Sequence, residues 1–451
     1  MKHIITLLFG IFVTCSLFAS TGTVAITGAV TNANVTTISV MHLDNQILVS
    51  AELDADGHFK MSAKIEDGYY TLMYGRNSQH IYLYPKDQLT ITFDANHFEN
   101  SLTFEGKGAE RNNYLANKSV ADAKLTEDLQ AFYKVDEAKY HKNLENVKST
   151  HLASLATYEV EAFFESAEKK SLEYDRLLSI QNYCNSYKFY IGGEVQPSDD
   201  FYKPLQKVKL DHAEDYQKQP YYRYLVNSIY SDRIDAAPTV DAMLAELRKV
   251  PSQPVAISLV NGFYSKISSK KERAKDYLDL IKRVTKHQPF IEAAEKQYAE
   301  IMSSKGLKNG DMSPSFSYES IDGKTVSLSD FKGKYVYIDV WATWCAPCIS
   351  QVPYLKALEK RFHGKNIVFV SISVDKEDVK GKWKQMVADK ALGGVQLFAD
   401  NSFDSDFMTA YAINSIPRFI LIDPQGKIVD LEAPRPSFDK TEGLLMRLVE
   451  E

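Results

Sequence analysis

Two cysteines three positions apart, placed where an apolar strand run gives way to a helical pattern, constrain this chain more than any other feature. Residues 335–340 form an apolar, strand-like run, and Trp341-Ala342-Thr343-Trp344-Cys345-Ala346-Pro347-Cys348 follows at once. Residues 349–362 then show helical spacing. The first turn of a helix offers unpaired N–H groups and the positive end of the peptide dipoles, which favour a thiolate. The thiolate is the nucleophile of disulfide exchange. Helical spacing also brings the two sulfurs within bonding reach. Pro347, just inside the helix, stiffens the loop and needs no N–H partner. Cys345 is therefore expected to be the exposed attacking thiol, and Cys348 the more buried one that resolves a mixed disulfide.

Other chemistry fits the pair poorly. A zinc knuckle needs a second Cys pair or two histidines at matching spacing. The other cysteines are Cys15 and Cys184, and His363 stands alone downstream. A static structural disulfide sits badly with the helix-start position and with the flanking Trp341 and Trp344, both just ahead of the pair. Cys184 is expected to be a buried small hydrophobe. The 27 tyrosines, with clusters such as Tyr69-Tyr70 and Tyr221-Tyr222, are expected in cores or at interface rims.

The 451 residues are enough for about three domains. Residues 23–106 read as strands. Phe59, Met61, Ala63 and Ile65 alternate with polar neighbours, and Asp56-Gly57 and Asp67-Gly68 are hairpin-turn signals. A small antiparallel sandwich is expected there. Residues 110–304 carry apolar residues at three- and four-residue spacing, broken at Gly192-Gly193, Pro204, Pro220, Pro238, Pro251, Pro254 and Pro289. This predicts an all-α region of six or so helices. Residues 305–314 read as a linker, and residues 310–451 alternate strands and helices as an α/β sheet domain does.

Lys plus Arg number 53 and Asp plus Glu 59, for a net charge of −6. That balance gives no long-range attraction to nucleic acid. The start, Met1-Lys2-His3 followed by an apolar run over residues 4–18 and then Ala19-Ser20, describes a secretory signal peptide over residues 1–20. The run is short for a membrane span. Cys15 raises the option of a lipid-modified N-terminus, but Thr14 occupies a position where a small residue is usual. A periplasmic protein with no transmembrane span in its mature form is expected.

Residues from about 310 to 451 resemble the thioredoxin superfamily, in particular its exported TlpA/ResA-like branch. The resemblance rests on the lead-in 310–316 (GDMSPSF), on 328–334 (LSDFKGK), on the Cys345–Cys348 motif, on Ser415-Ile416-Pro417 and on Asp423-Pro424-Gln425-Gly426-Lys427. It covers about a third of the chain. It implies a thioredoxin fold with Pro417 as a cis-proline beside the Cys pair. It also implies that the Ile416 backbone pairs with an extended substrate segment, with Trp344 and Pro347 as neighbouring contacts. Asp339, six residues before Cys345, takes the place of the buried acid that relays a proton for the second cysteine. Two departures stand out. Residues 368–374 supply no lysine to partner that acid, and residues 375–401 are longer than in a minimal thioredoxin, which fits the helix-plus-strand insertion of this branch. A peroxiredoxin signature fails, because the register set by Thr343 puts Ala346 at its cysteine and Asp339 at its proline. Residues 23–105 resemble the uncharacterised β-domain found ahead of exported thioredoxin-like domains.

These features predict a thiol–disulfide oxidoreductase acting on protein disulfides, with reduction as the expected direction and an upstream thiol–disulfide donor to recharge it. No metal or other cofactor is expected: no Gly-rich phosphate loop occurs and the histidines lack ligand spacing. Homo-oligomerisation stays open. The alternative is a non-catalytic ligand-binding or sensor protein with a thioredoxin-like scaffold.

Overall fold

The computed structural model describes residues 21–126, 128–269, 271–303 and 306–450. The expected signal peptide, with Cys15, lies outside them. The described chain forms two compact units: one holds the residues up to Ser186 and Val195–Tyr298, the other Tyr187–Glu194 and the residues from Ala299 onward. Among the described residues, no helix is long and apolar enough to cross a membrane.

The first unit begins with strands β1 (Thr21–Thr31), β2 (Thr37–Met41), β3 (Ile47–Glu52), β4 (His58–Glu66), β5 (Gly68–Tyr74), β6 (Asn77–Leu83) and β7 (Gln88–Asp94). A short helix α1 (Phe98–Ser101) and β8 (Thr103–Lys107) follow. Among the described residues they make two four-stranded sheets, ordered β4-β1-β7-β8 and β3-β2-β5-β6. Alternation decides which side chains are buried: in β4, Phe59, Met61 and Ile65 are buried while His58, Lys60, Ser62 and Lys64 are exposed. Both sheets feed one apolar cluster, with Ile26 and Ile91 from one and Ile38 and Leu72 from the other.

Two expectations need correction here. The unit is not wholly antiparallel, because β1 and β7 pair in parallel. A parallel pair needs a crossover, and strands of the other sheet lie in this one. The Asp-Gly signals also do not mark hairpins. Asp56-Gly57 and Asp67-Gly68 sit where the chain passes from one sheet to the other. At the first, Asp54 Oδ1 accepts the N–H groups of Asp56 and His58, and Gly57 adopts φ +82°. The tight hairpin is instead β5–β6, closed by Gly75-Arg76 with Tyr74 opposite Asn77.

Helices then follow: α2 (Ala109–Leu125), α3 (Leu129–Tyr133), α4 (Glu137–Leu155), α5 (Ala162–Gln181), α6 (Tyr183–Ile191), α7 (Ala213–Lys218), α8 (Pro220–Ala236), α9 (Val240–Arg248), α10 (Gln253–Ser269), α11 (Ala274–Val284) and α12 (Gln288–Ser303). That is more, and shorter, helices than the six expected. Pro220 opens α8, and Pro254 and Pro289 fall in the first turns of α10 and α12, but Pro204 lies inside a 3-10 helix over Asp199–Lys207 and marks no break. Further breaks come from polar caps: Asp128, Asp136, His212 and Thr239 each accept a backbone N–H at a helix start. The sheets and α2 are joined by a buried ion pair, in which the fully buried Arg111 guanidinium bonds Asp87 and donates to Tyr82 O at 3.0 Å. Tyr69 and Tyr114 both donate to the buried Glu168 of α5.

The second unit carries β9 (Ser317–Ser320), β10 (Thr325–Ser327), β11 (Tyr335–Trp341), α13 (Ala346–Ile349), α14 (Val352–Arg361), β12 (Ile367–Ser373), α15 (Lys380–Asp389), β13 (Val395–Phe398), α16 (Asp406–Ala410), β14 (Arg418–Ile422), β15 (Ile428–Asp430) and α17 (Asp439–Glu450). One seven-stranded sheet runs β10-β9-β13-β12-β11-β14-β15. The central β11 is parallel to β12 and antiparallel to β14. Both faces are covered, which explains its near-continuous apolar run. Val336, Ile338 and Val340 join one cluster, while Tyr337 joins the other with Leu355 and Leu358 of α14. Insertion elements α15 and β13 occupy residues 375–401 as the resemblance implies. The expected linker is partly structured: Gly310 and Ser313 donate to Ile428 O and Gly426 O, and Asp311 O accepts from Ile428.

Candidate active site

Cys345 and Cys348 are joined in a disulfide where β11 meets α13. The helix expected over residues 349–362 is broken. α13 is a single turn, and residues 350–351 form a hydrogen-bonded turn before α14. Pro353 accounts for the break, since its ring clashes with a carbonyl four residues back and it lacks an N–H. Sulfur stabilisation at this turn is therefore local: the Cys348 N–H donates to Cys345 Sγ at 3.2 Å. The expected contrast in exposure is absent, because both cysteines are 4% exposed. Both cysteines belong to one apolar cluster packed on the sheet. Its chain neighbours Trp344 and Ala346 are exposed, and Pro347 is half-buried.

The Ile416–Pro417 peptide is cis. Ile416 and Pro417 are half-buried, and Ile416 packs against the cluster that contains both cysteines. Trp344 is 42% exposed, and its ring lies 6.4 Å from that of Phe403.

Asp339 lies mid-strand on β11, opposite Ser371 of β12. It is 8% exposed and, among the described residues, its Oδ1 has no hydrogen-bond partner. Burial pushes its pKa up to about 7, a bond from Ser371 pulls it down, and the Glu359 charge adds to the rise. A narrow cavity of about 10 Å³ is lined by Asp339, Cys348, Lys356, Glu359, Ser371 and Gln396, among others. That is scarcely the volume of one water.

The sequence reading missed Asp375, Glu359 and Phe403. Asp375 is fully buried just beyond β12. It accepts the backbone N–H and the hydroxyl of Thr343 and the hydroxyl of Ser373. It thereby holds the loop leading into Cys345. The only available signal was an acid after an apolar strand, which has many uses. Cys184 is half-buried and unbonded to sulfur, with Tyr202 Oη at 3.3 Å.

A seven-stranded sheet with a Cys-x-x-Cys disulfide at the end of its central strand defines a thioredoxin-like thiol–disulfide oxidoreductase. The family profile and the sequence relatives agree. The Redoxin family profile matches residues 308–445. The thiol–disulfide oxidoreductase ResA of Bacillus subtilis (strain 168) is 32% identical over 133 residues, which are 29% of this chain and 70% of that protein. ResA of Oceanobacillus iheyensis is 30% identical over 148 residues, 32% of this chain and 73% of that protein. Among solved structures, the thioredoxin domain of a Bacteroides vulgatus thiol–disulfide oxidoreductase is 30% identical, over 32% of this chain and 99% of that one, with a TM-score of 0.30. A Bacteroides fragilis thiol–disulfide oxidoreductase is 28% identical, over 31% and 99%, with a TM-score of 0.28. Through its C-terminal third, this chain belongs to the ResA-like thiol–disulfide oxidoreductases.

Proposed function

We propose that this protein is an exported reductant of protein disulfides, working through Cys345-Ala346-Pro347-Cys348. The observation that carries the reading is the Cys345–Cys348 disulfide at the β11–α13 junction, with a backbone N–H directed at Cys345 Sγ. In the reduced protein, the Cys345 thiolate attacks a sulfur of the partner cystine. The partner's other sulfur leaves as a thiolate and takes a proton. Cys348 then loses its proton to Asp339 and attacks Cys345 Sγ, releasing the second partner thiol. Two electrons pass to the partner, and the Cys345–Cys348 disulfide remains for an upstream dithiol donor to reduce. Asp339 suits the relay because it titrates near neutrality and shares a cavity with Cys348.

Substrate docking falls to the surface around the pair. The Ile416 backbone pairs with an extended segment by strand addition, Pro417 shapes that contact, and Trp344 and Pro347 offer apolar surface. Residues 1–20 act as the leader to the periplasm. Residues 23–106 are a sandwich, residues 110–304 a helical domain and residues 310–451 the catalytic domain, the first two selecting or positioning the client. The test is insulin reduction by the full chain. Cys345→Ser and Cys348→Ser should each abolish turnover, and unchanged turnover in Cys345→Ser would refute the assigned nucleophile.

A further inference from the structure

Behind the disulfide, two carboxylates from different elements line one cavity with Cys348. Asp339 comes from β11 and Glu359 from α14. Asp339 is buried, whereas Glu359 is half-buried and so reaches toward water. Backbone without side chains makes room for Glu359: a Cβ at Gly393 would collide with its Oε2, and one at Gly394 would lie 3.0 Å from its Oε1. Among the described residues, three buried polar atoms on residues lining this cavity have no hydrogen-bond partner: the acceptors Asp339 Oδ1 and Gln396 Oε1 and the donor Trp341 Nε1. A water suits such a set, since it donates to the two oxygens and accepts from the indole N–H, and a carboxyl proton on Asp339 supplies a further donor.

We propose that Glu359 is the solvent-side partner of Asp339, passing to water the proton that Asp339 takes from Cys348 and keeping Asp339 basic through like charge. This rests on the exchange reading above. The transfer balances in three steps. Cys348 S–H gives its proton to the Asp339 carboxylate and becomes the thiolate that attacks Cys345. The Asp339 carboxyl gives the proton to the Glu359 carboxylate, directly or through one water. The Glu359 carboxyl gives it to solvent. No electrons move in these steps.

The charges around the pair are few. On α14, Lys356 lines the same cavity, stabilises the charged form of Glu359 and donates to Lys390 O at 3.0 Å. On β11, Tyr337 is held well above its ordinary pKa by burial first and by the Asp339 charge second. Ser371 of β12 and Gln396 of β13 are neutral. Burial raises the Glu359 pKa, which suits a group that trades protons with a buried acid.

The experiment uses the full reduced chain with excess insulin, following the unimolecular release step across pH 5–9. In the wild-type protein that step should accelerate with pH as Asp339 ionises. Glu359→Gln removes the like charge and the outlet, so the midpoint should fall by about half a pH unit or more and the plateau should slow. Glu359→Asp should restore most of both. If Glu359→Gln superimposes on wild type while Asp339→Asn loses the limb, the outlet is refuted and the exchange reading stands. If Asp339→Asn also leaves the profile unchanged, the relay itself falls and this proposal with it. Carboxyl 13C titration of the oxidised wild-type protein gives a second readout needing no variant. Coupled steps for the two acids support the pairing, and independent single steps overturn it.

Discussion

Asp375 holds Thr343 with both carboxylate oxygens: Oδ2 accepts the backbone N–H and Oδ1 the hydroxyl, each at 2.9 Å. Thr343 is two residues before Cys345, so this clamp links the end of β12 to the redox loop. The same Oδ2 also accepts from Ser373. Asp375→Ala leaves a buried N–H and two hydroxyls without their acceptor, at a cost of about 2–4 kcal/mol. A urea melt of the oxidised protein should show that loss, and alkylation of reduced Cys345 should slow. Thr343→Val should cost less, because it keeps the N–H bond, and it should add less than its own cost on top of Asp375→Ala.

Asp339 predicts how stability depends on pH. Its folded pKa, about 7, lies above the ordinary 3.8. A carboxyl with a raised folded pKa favours the native state while protonated. That stability is fully present below about pH 4 and is lost as pH rises through about 7. Asp339→Asn removes this loss. The oxidised variant should therefore exceed wild type by roughly 2–4 kcal/mol at pH 8 and by much less at pH 4.5. Urea midpoints at the two values check it, and an equal gain at both would contradict the assignment of the proton.

Arg111 and Asp87 form a buried ion pair between α2 and the strands. Arg111→Met strands the Asp87 carboxylate away from water and should cost about 3–5 kcal/mol. Adding Asp87→Asn should recover part of that loss. Urea denaturation followed by proteolysis within residues 21–298 reads both, and no loss in the single variant would count against the pair as a determinant of this unit.

Trp344 is 42% exposed beside the disulfide, and its ring is tilted 43° to that of Phe403 at 6.4 Å. Trp344→Ala should change stability by less than about 1 kcal/mol. On the proposed docking role, the variant's KM for insulin should rise several-fold with a smaller change in kcat. A variant with unaltered KM would remove Trp344 from the docking surface.

What could be read ahead of the fold was local. The apolar run into Trp341, the cysteine spacing and the Pro424-Gln425-Gly426-Lys427 turn each carry their structure within about ten residues. The cis peptide at Ile416–Pro417 and the insertion elements α15 and β13 came from resemblance, and they are where it put them. What stayed hidden was non-local or competitive. The parallel pairing of β1 with β7 joins segments some sixty residues apart, and Asp-Gly pairs look alike whether a chain turns back or crosses to a second sheet. Helix ends set by Asp128 or Asp136 lack the punctuation of proline. Pro353 was passed over inside a helical pattern that it breaks. Asp375 and Glu359 acquire meaning only once β12 and α14 stand against β11. Cys345 is buried in an apolar cluster against which the distant Ile416 packs, and spacing along the chain does not show that.

The proposed exchange mechanism turns on which sulfur a client meets first. Full-length Cys348→Ala, reduced and mixed with insulin, should accumulate a mixed disulfide that mass spectrometry maps to Cys345, and adding Cys345→Ser should abolish it. An adduct on Cys184, or none on Cys345 while the wild-type protein still reduces insulin, would contradict it.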